Sequence, residues 1–426
     1  MGGFTAEYFC RYCFMTTTKY QEDMQHRRPT FRTAKWRTER YYRKALRRIA
    51  ENNEYSYKGI RYDSAFNKLQ YFHVSDPGMP CCLGHDLFIG GVVDCDMASM
   101  IAYFVEKGFF SYDFINRRIR DFKCKSGDST NKPAQLIEKK EKLGGHAIQN
   151  WTLLRLLPLL VGDKINDVED PVWKLYLLLK YICQHACAPA LSLNQIDRLD
   201  ELIKKYMKRR HCLPNNYIPK HHFFSHLAEI FKLFGPPIHL WTLGFEQFHR
   251  FFKRVARASN CYINLPYTLV TKHQLHQAYS STGTSFSSEP LLDKPFPLVT
   301  EDYSEEYKEL LETAELQQGC YTSKKITVHE LNYKLKDWLL LGNVPGEDSI
   351  FVGKIMLMVC DENRKCHVLL KKMKAQLQAG YGLYTIFDSQ SELTIINLED
   401  LENPCPTGVY KFDGKLSFSL KHSFVQ

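Results

Sequence analysis

The chain has 426 residues, enough at roughly 150 per domain for two or three domains with real cores. Apolar residues make up 44% and charged residues 24%, a globular balance that excludes disordered and fibrous classes. The net charge of +10 is concentrated: residues 1–50 carry 12 Lys/Arg against 4 Asp/Glu, whereas the remainder carries 45 against 43. Such a basic segment suits a polyanion such as nucleic acid. Met1-Gly2-Gly3-Phe4 lacks the charged-then-apolar pattern of a signal peptide, and Ala6 stands where a myristoylation motif requires Ser or Thr. The best apolar run, Leu153 to Val161, is short and contains Arg155, so membrane and secreted classes are not expected. The 14 cysteines are then expected to be reduced, and the informative question is which of them have metal-ligand spacing.

Cys10-Arg11-Tyr12-Cys13 is a C-x2-C pair, able to give two thiolates to a tetrahedral zinc ion. It needs two further ligands, and chance or redox readings stay open. Next comes the basic segment 27–48, where Arg40, Arg43, Lys44, Arg47 and Arg48 are interleaved with Trp36, Tyr41, Tyr42, Leu46 and Ile49. From Thr33 onward the spacing predicts a basic helix, either a solvated face or a phosphate-binding one. In Cys82-Leu83-Gly84-His85-Asp86, the His85-Asp86 pair reads as a turn or cap, or as a metal or acid/base pair. Residues 92–118 and 147–210 are helical in pattern, and Trp151 to Leu160 is apolar nearly all round, as a buried helix is. The polar stretch 123–145 between them is expected to loop over the surface.

Further on, Pro219-Lys220-His221-His222-Phe223-Phe224-Ser225-His226 offers two histidine pairs, His221/His226 as H-x4-H and His222/His226 as H-x3-H. Both spacings fit the histidine half of a Cys2His2 site, and capping or core packing is the alternative. The segment from Trp241 to Arg257 reads as a helix with Phe245, Phe248 and Phe252 on a buried stripe and Arg250, Lys253, Arg254 and Arg257 on a basic one. Near its start Glu246 is a cap, an ion-pair partner or a Mg²⁺ ligand beside phosphate-binding cations. Residues 281–300, rich in Ser, Thr, Gly and Pro, read as a linker. An acidic helix from Glu301 to about Leu316 follows, then a period near two: 326–328, 338–341, 350–359, 367–370, 384–387, 393–396 and 409–412 read as strands, with a hairpin turn at Phe412-Asp413-Gly414-Lys415.

Several strings together resemble the transposases of CACTA/EnSpm-type DNA transposons and the animal proteins derived from them: Tyr8-Phe9-Cys10-Arg11-Tyr12-Cys13, Tyr71-Phe72-His73-Val74, Cys82 to Phe88, Lys142-Leu143-Gly144-Gly145-His146-Ala147, Pro219-Lys220-His221-His222 and Phe251 to Arg257. The strings fall in the family's order over residues 1 to about 280. The resemblance implies a ribonuclease-H-like core in which two aspartates and a glutamate hold divalent metal ions. It further implies a structural Zn²⁺ bound by Cys10, Cys13, His221 and His226, with His222 as the alternative ligand, and Glu246 as the third catalytic carboxylate. In that family both aspartates precede the C-x2-C, and here only nine residues do, none of them Asp. Ile89 and Gly244 also depart from the family pattern, which has an acidic residue and an arginine there.

The expectation is therefore an α+β protein. A mainly helical, zinc-stapled transposase-like region spans 1–280, with a helical insertion at about 92–210 and a histidine/glutamate segment at 217–258. The linker 281–300 leads to 301–426, the acidic helix and a small β-barrel-like domain. The expected activity is DNA binding to the phosphate backbone without catalysis, in the nucleus or otherwise the cytoplasm, with self-association left open and no membrane or small-molecule substrate. Three other readings are kept: an active nuclease using Mg²⁺ with Asp86 or Asp94, a protein-interaction module on the β region, and a fragment without function.

Overall fold

The computed structural model describes residues 6–25, 35–138, 140–214, 217–260, 262–282, 289–317 and 319–424. Arg27, Arg28 and Arg32 of the basic segment fall outside them. Helix α1 (Thr17–Gln25) is followed by α2 (Glu39–Asn52), whose N-cap Thr38 accepts from the amide of Tyr41. The basic helix thus begins six residues later than its charge spacing predicts. Trp36 lies before the cap, in extended backbone bridged to Cys13.

The body of the helical region is α3 (Val92–Glu106), α4 (Tyr112–Asp121), α5 (Ala147–Val161), α6 (Pro171–Ala186) and α7 (Leu193–Arg209). The segment Gly84–Glu106 is long and apolar enough by composition to cross a membrane, a run the sequence reading passed over, but 61% of its most apolar 18-residue stretch is buried inside the protein. As expected from its all-round apolar face, α5 is almost wholly buried. The polar stretch before it does more than cross the surface: buried Asp128 there accepts from Arg155 of α5 at 2.6 Å. Then come α8 (Pro219–Phe224), α9 (Leu227–Phe234), α10 (Leu243–Ser259) and α11 (Leu265–Ser280). The expected buried phenylalanine stripe of α10 is not formed. Phe245 is 73% and Phe248 49% exposed, because α10 packs chiefly on α11, which itself buries no residue.

The part read as a linker is partly built into sheet. Strands β1 (Leu291–Leu292) and β2 (Phe296–Pro297) precede α12 (Glu305–Thr313), β3 (Tyr321–Thr322), β4 (Lys325–Val328), β5 (Leu331–Lys334), β6 (Trp338–Asn343), β7 (Ser349–Cys360), β8 (Cys366–Gln378), β9 (Leu383–Asn397), β10 (Tyr410–Phe412) and β11 (Lys415–Phe418). β1 joins β4 and β5 in a small sheet. The main sheet runs β10-β11-β9-β8-β7-β3-β2, antiparallel throughout, with β6 also on β7. Its path among the described residues has two ends, so within them it runs as an open sheet. Residues 384–396, read as two strands, belong to one long β9. Asp413 and Gly414 both take positive φ at the predicted hairpin turn, the geometry that two-residue turns between twisted strands require.

The architecture is α+β, and the strands follow the helices: among the described residues before Leu291 there are isolated bridges and no strand. The sheet docks on the helices through a shared core of Leu156, Leu159, Leu383 and Tyr410. Hydrogen bonds from Trp173 to the Gly380 carbonyl (2.8 Å) and from Gln195 to the Phe424 carbonyl (2.7 Å) tie the two parts together.

Candidate functional site

Four side chains from opposite ends of the helical region meet in its core. Cys10, Cys13, His222 and His226 are all buried, and their ligand atoms lie within 4.8 Å of one another. Cys13 Sγ is 3.2 Å from His222 Nε2, Cys10 Sγ is 3.6 Å from His226 Nε2, and the two Nε2 atoms are 3.1 Å apart. A tetrahedral zinc ion with bonds of 2.0–2.3 Å would set such pairs about 3.3–3.8 Å apart, so small side-chain adjustments would bring the four donors onto one ion. The amides of Tyr12 and Met15 donate to the two sulfurs at 3.3 and 3.4 Å, the pattern of a C-x2-C knuckle folded to present both thiolates inward.

Burial raises the Cys10 thiol, but hydrogen bonds from Cys13, His222 and His226 outweigh it and hold that thiol well below its ordinary value. The Cys13 thiol is pushed far up by its hydrogen bond to Cys10 and by burial. The pair thus settles as a thiolate at Cys10 beside a thiol at Cys13, and a bound cation would let both serve as thiolates.

His221, the expected ligand, is not in the cluster. On a helical stretch, residues four apart share a face whereas residues five apart are turned well away, so His222 pairs with His226. His221 instead points into a second buried group: its Nδ1 accepts from the Ile218 amide, and its Nε2 is 3.0 Å from both Asp96 Oδ2 and Arg210 Nε. Arg210 Nη2 donates to Asp96 Oδ1 at 2.7 Å and the Tyr206 hydroxyl donates to Oδ2 at 2.6 Å. Burial alone would raise the Asp96 carboxyl, but His221 and Arg210 hold it far below the usual carboxylate range.

The sequence reading also missed Arg37, counted there only as one more basic charge. It is 4% exposed, and its Nε donates to the carbonyls of Cys10 (2.9 Å) and Cys13 (3.1 Å), bracing the knuckle. Only its place between a C-x2-C and a helix cap could have hinted at this.

The candidate carboxylates are not brought together. Asp86 accepts from Arg11 at 3.1 Å and from the Cys82 amide at 3.3 Å, which is the turn-fixing reading of the His85-Asp86 pair. Asp94 caps the amides of Gly90 (2.6 Å) and Leu143 (2.8 Å). Glu246 sits exposed on α10, its Oε1 3.4 Å from His85 Nε2. Among the described residues the Cys2His2 cluster is the one group of His, Cys, Asp or Glu side chains placed to hold a metal ion.

The predicted cations are on the surface. Arg40, Arg43, Lys44, Arg47 and Arg48 project from α2, where Arg43 pairs with Glu39 and Arg48 with Glu54. On α10, Arg250, Lys253, Arg254 and Arg257 join Glu246 and His249 in lining a groove of about 540 Å³. No protein-family model, curated protein or solved structure matches the chain.

Proposed function

We propose that the protein is a transposase-derived DNA-binding protein of the nucleus, its helical region stapled by a zinc ion and its catalytic role lost. The observation that carries this reading is the α10 groove. Arg250, Lys253, Arg254 and Arg257 recur at three- and four-residue spacing, so all four project along one face. Among the described residues none of the four has an ion-pair partner, and Glu246 is the groove's single carboxylate. A linear array of uncompensated cations is the footprint of phosphate-backbone contact, which positions a protein on DNA without reading its sequence. The exposed cations of α2 add a second such face.

Strand cleavage by the transposase route needs carboxylates bridging two cations about 4 Å apart. Asp86, Asp94 and Asp96 are each held by other partners, which favours binding without cutting. The decisive experiment measures affinity for a generic duplex by fluorescence anisotropy between about 50 and 200 mM salt. Replacing Arg250, Lys253, Arg254 and Arg257 together with Gln should weaken binding and flatten the log–log salt slope by up to about 3.6, four contacts at roughly 0.9 each. Unchanged affinity and slope reject the α10 face, and if they also persist when Arg40, Arg43, Arg47 and Arg48 are replaced together they reject the DNA-binding reading. Mg²⁺- or Mn²⁺-dependent cleavage of supercoiled DNA that disappears in Glu246→Gln would reject the loss of catalysis.

A further inference from the structure

Beyond the candidate metal centre, one of the described cysteines stands in a distinct chemical setting. Cys82, half-buried, precedes the turn Gly84–Phe88 and faces the start of α10. Its Sγ is 3.1 Å from His85 Nδ1 and 2.9 Å from Thr242 Oγ1, and the other ring nitrogen of His85 is 3.4 Å from Glu246 Oε1. The approach depends on Gly84: a Cβ there would lie 2.6 Å from Trp241 Nε1 and force the two segments apart. Phe88 stacking on Trp241 at 5.9 Å locks the same contact from behind. Thiol, imidazole and carboxylate thus follow one another in the order that activates a cysteine nucleophile. Burial raises the Cys82 thiol, but the hydrogen bonds of Thr242 and His85 outweigh it and leave the thiol below its ordinary value.

We propose that Cys82 is a nucleophilic thiol served by His85, and that the adjoining cationic groove of α10 selects small anionic electrophiles for it. With the ring proton on Nε2, that nitrogen donates to Glu246 and Nδ1 is free to take the thiol proton. Sulfur then attacks the electrophilic centre: with a haloacetate a carbon–sulfur bond forms, the carbon–iodine bond breaks, and iodide leaves with its electron pair. Glu246, by holding the ring, is a positioning residue. The groove shares Glu246 with this group and continues along α10 through His249, Arg250 and Lys253, the cations that would draw in a carboxylate or phosphate on the electrophile. Nucleic-acid binding is not required for any of this, and the two readings fail separately.

The test alkylates the intact protein with limiting iodoacetamide, and separately with iodoacetate, at neutral pH. Peptide mass spectrometry then follows Cys82 against exposed Cys212 in the same chain. Iodoacetamide should modify Cys82 about tenfold faster than Cys212. The iodoacetate-to-iodoacetamide rate ratio at Cys82 should exceed that at Cys212 by about threefold, and Arg250→Gln with Lys253→Gln should remove the excess. His85→Asn should slow Cys82 by about tenfold while leaving Cys212 unchanged. Equal rates at the two cysteines in the unmodified protein overturn the nucleophile, whatever the variants do. Equal reagent ratios overturn the selection by charge.

Discussion

The two adjacent histidines give the sharpest test of the metal centre, because one substitution made at either position has opposite consequences. His222→Gln removes one of four donors whose mutual distances, 3.1 to 3.6 Å where paired, suit a tetrahedral ion after small side-chain adjustments. His221→Gln leaves all four in place and keeps a hydrogen-bonding group against Asp96 and Arg210. An ion present at about 1,000 times its dissociation constant stabilises the fold by about 4.1 kcal/mol. For a cooperative unit of 150–250 residues, roughly 2–4 °C per kcal/mol, losing it lowers the melting temperature by about 8–16 °C. The assay is native mass spectrometry together with thermal melts, with and without a chelator. The expected result is one zinc per chain in the unmodified protein and in His221→Gln, none in His222→Gln, and a chelator-sensitive melt only where zinc is bound. One zinc retained by His222→Gln, or zinc lost from His221→Gln, refutes the ligand assignment. No zinc in the unmodified protein refutes the centre altogether.

Two further outcomes concern buried charge. Asp96→Asn leaves Arg210, 1% exposed, without its carboxylate, and should cost about 3–5 kcal/mol in denaturant unfolding while zinc stoichiometry stays at one. A cost under about 1 kcal/mol would mean that the Asp96 group contributes little. Lys180 is buried at the interface with the sheet, where its Nζ donates to the Gly382 carbonyl at 2.5 Å, and burial lowers its amine from 10.5 to about 7. Between these values the unfolded chain binds more protons than the folded one, so folding stability rises with pH, by at most about 1.4 kcal/mol per unit. The stability difference between the unmodified protein and Lys180→Met should accordingly rise between pH 7.5 and 9.5, and a flat difference would contradict it.

What was legible in the sequence had local causes. The all-round apolar pattern of α5 marks a core helix whatever its partners, and Asp413-Gly414 fixes its turn through its own backbone preferences. The cysteine and histidine pairs showed themselves by spacing, but spacing alone left His221 and His222 equivalent. Their separation depends on which face of the α8–α9 segment meets the knuckle, and that is decided by Asp96 and Arg210, more than 100 and about 10 residues away in the chain. Strands of two residues such as β1 and β2 carry no periodicity of their own. They exist because β4 and β3 lie opposite them, so they read as linker. The phenylalanines of α10 followed the rule for a buried stripe and broke it, since among the described residues α10 has chiefly α11 to cover it. Charge counting could not distinguish Arg37, sealed beneath the knuckle, from Arg40, in solvent three residues later.

That last contrast connects the two halves of the molecule's chemistry. Arg37 donates to the carbonyls of both cysteine ligands, and its own amide donates to the Tyr12 carbonyl at 2.8 Å. The next residue, Thr38, is the N-cap from which α2 starts. The Phe14 amide reaches the Lys35 carbonyl at 3.0 Å, and Trp36 packs on His226 at 5.0 Å, so the extended segment entering α2 lies directly against the candidate ligands. The helix is held along its inner side by Tyr42 and Ala45, which pack with Leu46 and Ile49 on Ile60, Tyr57 and Val74. Its first turn is also tied to the knuckle through Arg37 and Thr38. α10 is anchored differently, through Trp241 against Phe88 and Gly84, far from the cysteines in sequence. The two basic faces thus have different supports that meet at the knuckle: Arg11, between Cys10 and Cys13, donates at 3.1 Å to Asp86 in the turn on which Trp241 rests.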